Sequence, residues 1–191
     1  PEDEFEKEKD VIRREIDMGL DDPDGRASRQ LFSTALANDG RSQPVIGHLE
    51  PINTIGHSDM VDYHKARYTT ENCFISISGD FDQDEILTTL SSLVGGIPRS
   101  FTQQATPDVE PPQLGKRVER KNFTVAASKL TLAWQVPGLT HPDAAALELL
   151  STILGGGRSS RLYQSIREQQ GLCLHIASWA WITQQPVGLF S

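Results

Sequence analysis

The sequence predicts an α+β fold in two parts joined by a linker, on three observations. Stretches with apolar residues at helical spacing share the chain with short runs that alternate apolar and polar residues, the signatures of amphipathic helices and half-buried strands. Over residues 1–98 the elements run helix, loop, helix, strand, helix, the closing portion of an α+β unit, whereas from 117 to 191 they run in the order that opens one. Between these parts, residues 99–116 are rich in Pro, Gln, Thr and Asp without periodicity, as an interdomain linker should be.

The first helix is carried by "EKEKDVIRREI", Glu6–Ile16, and "GLDDPDGRA" breaks it with Gly, Asp and Pro. "SRQLFSTALA" starts a second helix with Ser28 as its N-cap, and "NDGRSQPVIGHLEPINTIG" reads as a loop. "HSDMVDYHKARY" places Met60, Tyr63 and Arg67 at helical spacing behind a cap at Ser58 or Asp59. "NCFISISGDFD" alternates as a strand does, and "DQDEILTTLSSLV" returns to a helix. Beyond the linker, "KRVERKNF" and "SKLTLAWQVPG" have strand character, the latter with alternation at Leu130, Leu132, Trp134 and Val136. "HPDAAALELLSTIL" is an apolar helix with Pro142 and Asp143 in its first turn. "GGGRSSRLYQSIREQQG" gives a glycine turn, a serine cap, a helix and Gly171 as its stop, before the closing strands "LCLHIASWAW" and "VGLF".

The 191 residues suffice for one ordinary domain or two small ones with real cores. A net charge of -8, with neither Lys nor Arg gathered into a patch, argues against nucleic acid and anionic membranes as partners. The most apolar run, "AAALELLSTIL", is too short to span a bilayer and is interrupted by Glu148. The N-terminus "PEDEFEKEKD" is acidic rather than a signal peptide, and a chain that enters a helix without an initiating Met reads as an excised piece. Cys73 and Cys173 lie in apolar runs at no redox or zinc spacing and are expected in the core. Of the five histidines, His48, His57, His64, His141 and His175, no two stand in H-x-x-E-H or H-x3-H spacing, so no complete metal site is written in the chain. "GGGRSS" lacks the G-K-[ST] ending of a phosphate loop and follows a helix instead of a strand, which sets nucleotide binding aside.

One feature of the first helix asks for chemistry. At about 100° per residue, Phe5, Val11, Ile12, Ile16 and Met18 fall within one arc, and Glu8 and Glu15 fall in the middle of it. A carboxylate in an apolar face costs several kcal/mol unless a cation or a set of donors compensates it. Salt bridges to a neighbouring element, or a stripe that is wetter than the pattern implies, are one answer. A metal site is the other, calcium or magnesium if carboxylates act alone and zinc if His or Cys join them.

Three stretches in order, "EKDVIRREI", "PVIG" followed by "DMVDYHKARYTTENCFISISGDFD", and "LGGGRSSRLYQSIREQQGL", resemble the pitrilysin/insulinase family of zinc metallopeptidases, which includes the mitochondrial processing peptidases. The resemblance covers nearly the whole chain. It implies helices packed on a mainly antiparallel sheet, in two homologous halves that enclose a peptide or unfolded protein substrate, with zinc in the first half only. Residues 1–98 would then be the C-terminal part of the active half, and 117–191 the N-terminal part of the non-catalytic half. Glu15 takes the position of the family's glutamate zinc ligand and Glu8 that of its supporting carboxylate, while the H-x-x-E-H motif is absent. Arg167 matches an arginine that reaches the substrate carbonyl, but Leu174 stands where active relatives carry a tyrosine, with His175 the nearest substitute in sequence.

On this resemblance the parent protein is a zinc endopeptidase, its remaining ligands upstream of Pro1, and the isolated piece is inactive. The alternative is a catalytically silent partner subunit. Exposed sheet edges could drive homo-oligomerisation, and the compartment would be periplasmic for a bacterial, exported protein.

Overall fold

The computed structural model describes residues 1–97, 99 and 108–191, and its architecture is α+β. Six α-helices are described: α1 (Glu2–Asp21), α2 (Pro23–Ala35), α3 (Leu49–Thr54), α4 (His57–Arg67), α5 (Gln83–Val94) and α6 (Ala144–Gly155). Three short strands, β1 (Trp134–Pro137), β2 (Ala180–Trp181) and β3 (Val187–Phe190), form one antiparallel sheet in the order β1-β3-β2. None of the described helices is long and apolar enough to cross a membrane.

Helix ends follow local chemistry. The helix break expected over "GLDDPDGRA" contracts to Asp22 alone, which caps α2 by accepting the N–H groups of Asp24 and Gly25, with Pro23 at the first helical position where its missing N–H costs nothing. Ser28 therefore lies inside the helix and is not its cap. Helix α4 is capped by Gly56, whose N–H donates to Asp59 at 2.8 Å, so neither Ser58 nor Asp59 is the cap residue, although Asp59 provides the return bond. Asp82 caps α5 through the N–H groups of Asp84 and Glu85. Helix α6 begins at Ala144, after Pro142 and Asp143. The segment expected to be a loop holds a single 3-10 turn, Gly40–Ser42, and α3.

Strand expectations require more correction. Residues 73–78 form no strand, and neither do 116–123 or 128–133; of "LCLHIASWAW" only Ala180–Trp181 is strand, extended by Trp179, which exchanges two backbone bonds with Ser191 at 2.8 and 2.9 Å. Alternation marks a segment suited to lie on a half-buried surface, but a strand exists only where a neighbour completes its ladder, and among the described residues these runs have none. Phe74, Ile75 and Ile77 are consequently open to solvent. Cys73 is exposed and Cys173 half-buried, so neither is a core residue.

Contacts divide the chain into two compact units. The first comprises Pro1–Arg14 with His48–Thr106, the second Glu15–Gly47 with Pro107–Ser191, so the grouping does not follow a single cut in the sequence. In the first unit, Lys9 Nζ donates to the Ile55 carbonyl at 2.8 Å, Arg13 Nε to Asn53 Oδ1 at 2.8 Å, and the Phe5 ring meets His57 edge-on at 5.7 Å. These bonds hold the start of α1 to α3 and the beginning of α4.

The second unit is built on Leu36 and Leu189, both essentially without solvent contact, with Ala35, Phe32, Trp181 and Val187 packed around them. Phe32 of α2 meets the Trp181 ring edge-on at 4.7 Å, an arrangement that aligns the positive ring edge with the negative face. Polar bonds frame this core. Glu110, in the stretch expected to be linker, is buried and accepts N–H bonds from Ala37, Asn38 and Asp39 at 2.8–3.0 Å. Residues 100–107 of that stretch, and residue 98 before it, lie outside the described residues. Burial pushes the Glu110 carboxyl up, but the three backbone donors and the nearby Arg117 charge outweigh it and hold the group below its ordinary value. Arg41 grips Asp39 with two parallel bonds and also donates to Thr183 Oγ1 and the Val187 carbonyl.

The end of α6 approaches the segment before β2 so closely that only glycine fits at residue 155. A Cβ there would lie 2.0 Å from the Ser178 backbone nitrogen. Because backbone must yield, Gly155→Ala is expected to destabilise by about 1–3 kcal/mol. The check is a lowered midpoint of denaturant unfolding at unchanged slope.

Candidate functional site

Helix α1 carries Glu8 and Glu15 two turns apart, and therefore on nearly the same side. Both carboxylates are exposed, and Val11 and Met18, on the same stripe, are 50% and 72% exposed. The covered side of the helix is defined by Phe5, Lys9, Ile12 and Ile16, its centre turned roughly 80° from the glutamates. The expectation that Glu8 and Glu15 sit mid-way across the apolar face is corrected accordingly. The reason is Lys9: its ammonium lies 5.3 Å from the Phe5 ring centre and bonds the Ile55 carbonyl, so a residue counted as polar belongs to the covered side.

Neither glutamate forms an ion pair among the described residues, so salt bridging does not account for them. They form instead an open stripe of two carboxylates between two apolar side chains. Among the described residues no group of three His, Cys, Asp or Glu side chains could hold a metal ion. Glu15 offers a single carboxylate where catalytic zinc takes three protein ligands, so these residues alone do not fit a zinc ion.

The second cluster follows α6. Gly157 adopts φ 92° to turn the chain, and the Ser160 hydroxyl donates back to the Gly157 carbonyl at 2.7 Å, closing the turn instead of capping a helix. A π-helical segment, Tyr163–Gln169, comes next, and Gly171, at φ 63°, ends it with its N–H on the Arg167 carbonyl. Arg167 lies above the Tyr163 ring, 4.7 Å from its centre. It donates from Nη1 to the Tyr163 hydroxyl, from Nη1 to Glu168 Oε1 at 2.8 Å, and from Nε to the Leu174 carbonyl at 2.9 Å.

The arginine is thus tied to the backbone of Leu174, whose side chain points into solvent and has no donor to offer. His175 is exposed as well. Tyr163 escaped the sequence reading. The signal was its position four residues before Arg167, the spacing at which helical side chains meet. A separate groove of about 370 Å³, lined by Leu20, Asp21, Pro23, Arg26 and residues 122–125, holds none of the residues the sequence singles out.

A family profile described as the peptidase M16 inactive domain matches residues 54–191. The chain belongs to the peptidase M16 family. The resemblance to pitrilysin/insulinase metallopeptidases therefore holds. This M16 chain is 29% identical over 178 residues to an uncharacterized zinc protease of Mycobacterium leprae, a match spanning 92% of this chain and 40% of that protein. It is 24% identical over 153 residues to human cytochrome b-c1 complex subunit 1, mitochondrial, over 80% of this chain and 32% of the subunit. The crystal structure of a protease from Helicobacter pylori superposes with a TM-score of 0.76 at 25% identity, covering 100% of this chain and 47% of that one. The chain spans less than half the length of each of these relatives.

Proposed function

We propose that this M16 chain is a section of a zinc-dependent metalloendopeptidase that hydrolyses peptides or unfolded proteins enclosed between two homologous halves. The section spans the end of the zinc-bearing half and the start of the non-catalytic half, and by itself is inactive. The observation that carries this reading is the open stripe of α1, where Glu8 and Glu15 stand seven residues apart and unpaired among the described residues. Glu15 is the ligand this chain contributes, Glu8 supports it, and the other ligands come from the part of the relatives that this chain does not span. Relatives named zinc proteases support the metal and the reaction class. Arg167 faces the substrate carbonyl.

Two preparations test this. The full-length protein should retain about one zinc per chain after dialysis against a mild chelator, Glu15→Gln should lose it, and a model peptide should be cleaved only by the loaded form. The 191-residue chain alone should retain no stoichiometric zinc and cleave nothing. Zinc held by the isolated chain and lost in Glu15→Gln would show a full ligand set within it. The match to a cytochrome b-c1 complex subunit motivates a second reading, a catalytically silent partner that binds peptide or shapes a chamber. A full-length protein that folds but neither binds zinc nor cleaves peptide selects that reading.

A further inference from the structure

We propose that residues 108–115 form a releasable strap, seated on the second unit through the Glu110 and Gln135 side chains, whose opening frees that stretch as additional linker. The proposal stands whether or not the parent protein cleaves peptides. Burial within the strap is inverted: Val109 and Leu114 are 80% and 98% exposed, while Glu110 is its one buried residue. A charge holds it, and its large apolar side chains face water.

The Glu110 carboxylate sits in a concavity lined by three successive N–H groups, those of Ala37, Asn38 and Asp39, a backbone arrangement suited to an anion. Gln135 of β1 completes the seat. Its Nε2 donates to Glu110 Oε1 at 3.2 Å and to the Ala35 carbonyl at 3.1 Å, and its Oε1 accepts the Gln113 N–H at 3.0 Å. No backbone–backbone bond is described for residues 108–115, and Pro111 and Pro112 have no N–H to give. All but one of the described bonds that reach the strap from outside therefore end on one carboxylate, and they are lost together when it leaves. Neither Val109 nor Leu114 has to leave a core for this to happen, so the opening belongs to the local, low-energy kind. The next anchor along the chain is Arg117, which donates from Nη1 to the Thr34 and Ala35 carbonyls at 3.3 and 3.0 Å. Release up to that anchor frees roughly eight residues, which at about 3.3–3.6 Å each add up to about 25–30 Å of reach.

The test is native-state hydrogen exchange on the full-length protein, read in peptides that cover residues 37–39, 109–115 and β3. In the wild type the N–H groups of Ala37, Asn38, Asp39 and Gln113 should exchange at least tenfold faster than the paired N–H groups of β3, after correction for intrinsic rates, because they open with the strap and not with the unit. Gly155→Ala, which loosens the second unit as a whole, should speed exchange in β3 and leave the strap amides unchanged. Glu110→Gln should speed the strap amides tenfold or more; should that variant not fold, Gln135→Ala breaks the other attachment and reads the same amides. Strap amides that exchange at the β3 rate in the wild type, and quicken together with β3 in Gly155→Ala, would overturn the proposal, since the segment would then open only by global unfolding. Strap amides indifferent to Glu110→Gln, or to Gln135→Ala in its place, would overturn it as well.

Discussion

Replacing Glu110 by alanine is expected to lower the stability of the second unit by about 3 kcal/mol, a large share of the 5–15 kcal/mol that holds an ordinary domain folded. The carboxylate is buried and makes four hydrogen bonds to three consecutive backbone N–H groups, two of them from Ala37. Gln135 Nε2 adds a fifth at 3.2 Å, and the same nitrogen reaches the Ala35 carbonyl. Hydrogen bonds to a charged group contribute about 1.5–3 kcal/mol each when taken singly. They do not add here because Ala37 and Asn38 are exposed, and water can replace part of what is lost. Glu110→Gln keeps the shape and one acceptor oxygen but not the charge, so it should lose about half as much.

The acid limb of the stability curve gives a second readout. The folded-state pKa of Glu110 is lowered, so its contribution is fully present above the unfolded value near 4.5 and disappears as pH falls through the lowered folded value. The wild type should therefore lose stability from about pH 5 downward, and Glu110→Gln should be flatter over that window. Equal slopes for the two proteins below pH 5 would mean that the carboxylate titrates alike in the folded and unfolded chains, and that the three N–H bonds contribute nothing to its charge state.

Glu110 also shows where reading from sequence stops. It sits in "PDVEPPQLG", a stretch without periodicity, and nothing in its neighbours signals three backbone donors more than seventy residues away. Helices α1, α2, α4, α5 and α6 were legible because each presents its period locally, and Gly171 is readable as the stop of the π-helical segment; the caps expected at Ser28 and at Ser58 or Asp59 fell instead to Asp22 and Gly56, and α3 lies in a stretch read as loop. Strands were legible only in part: Trp134–Pro137, Ala180–Trp181 and Val187–Phe190 all fall within runs of strand character, but Val136 is in a strand only by virtue of Gly188, and "NCFISISG" has the same alternation without a partner among the described residues. The exposed apolar side chains of that run, with Leu87 and Leu93 on α5, are surface that short elements cannot cover themselves.

The candidate site was legible in its parts and not in its contacts. Spacing alone places Glu8 and Glu15 on one side of a helix, as described. Which side is covered depended on Lys9 finding a carbonyl on Ile55, which no helical wheel contains. Arg167 was identified by resemblance, and its bonds to Glu168 and Leu174 are short-range enough to have been guessed. The hydroxyl of Tyr163 was not, because a ring four residues upstream reads first as a packing residue.

Replacing Arg41 by methionine is expected to lower stability by about 3–5 kcal/mol, since it removes one partner of a nearly buried pair and leaves the other charged. The side chains of Arg41 and Asp39 are 18% and 12% exposed and are joined at 2.7 and 2.5 Å through Nε and Nη2, a forked geometry that lysine cannot reproduce. The same guanidinium donates to Thr183 Oγ1 at 2.9 Å and to the Val187 carbonyl at 2.7 Å, and it lies 5.0 Å from the centre of the Trp181 ring. One side chain thus fastens the turn after α2 to both β2 and β3. The Arg41 hydrogen bond is the main reason that the Asp39 carboxyl lies below its ordinary value, against the opposing effect of burial. Without the guanidinium the main lowering influence is gone, and only the bond from the N–H of residue 41 is left to oppose the burial of the Asp39 carboxylate. Most of the loss should therefore be recoverable: Asp39→Asn, itself destabilising in the wild type, should stabilise Arg41→Met. Arg41→Lys should fall between, keeping the charge but losing the fork. A double-mutant cycle decides the matter by denaturant unfolding. A coupling energy of about 1–3 kcal/mol is expected for residues that share these bonds, and additivity within about 0.5 kcal/mol would show that Arg41 acts through Thr183, Val187 and Trp181 alone.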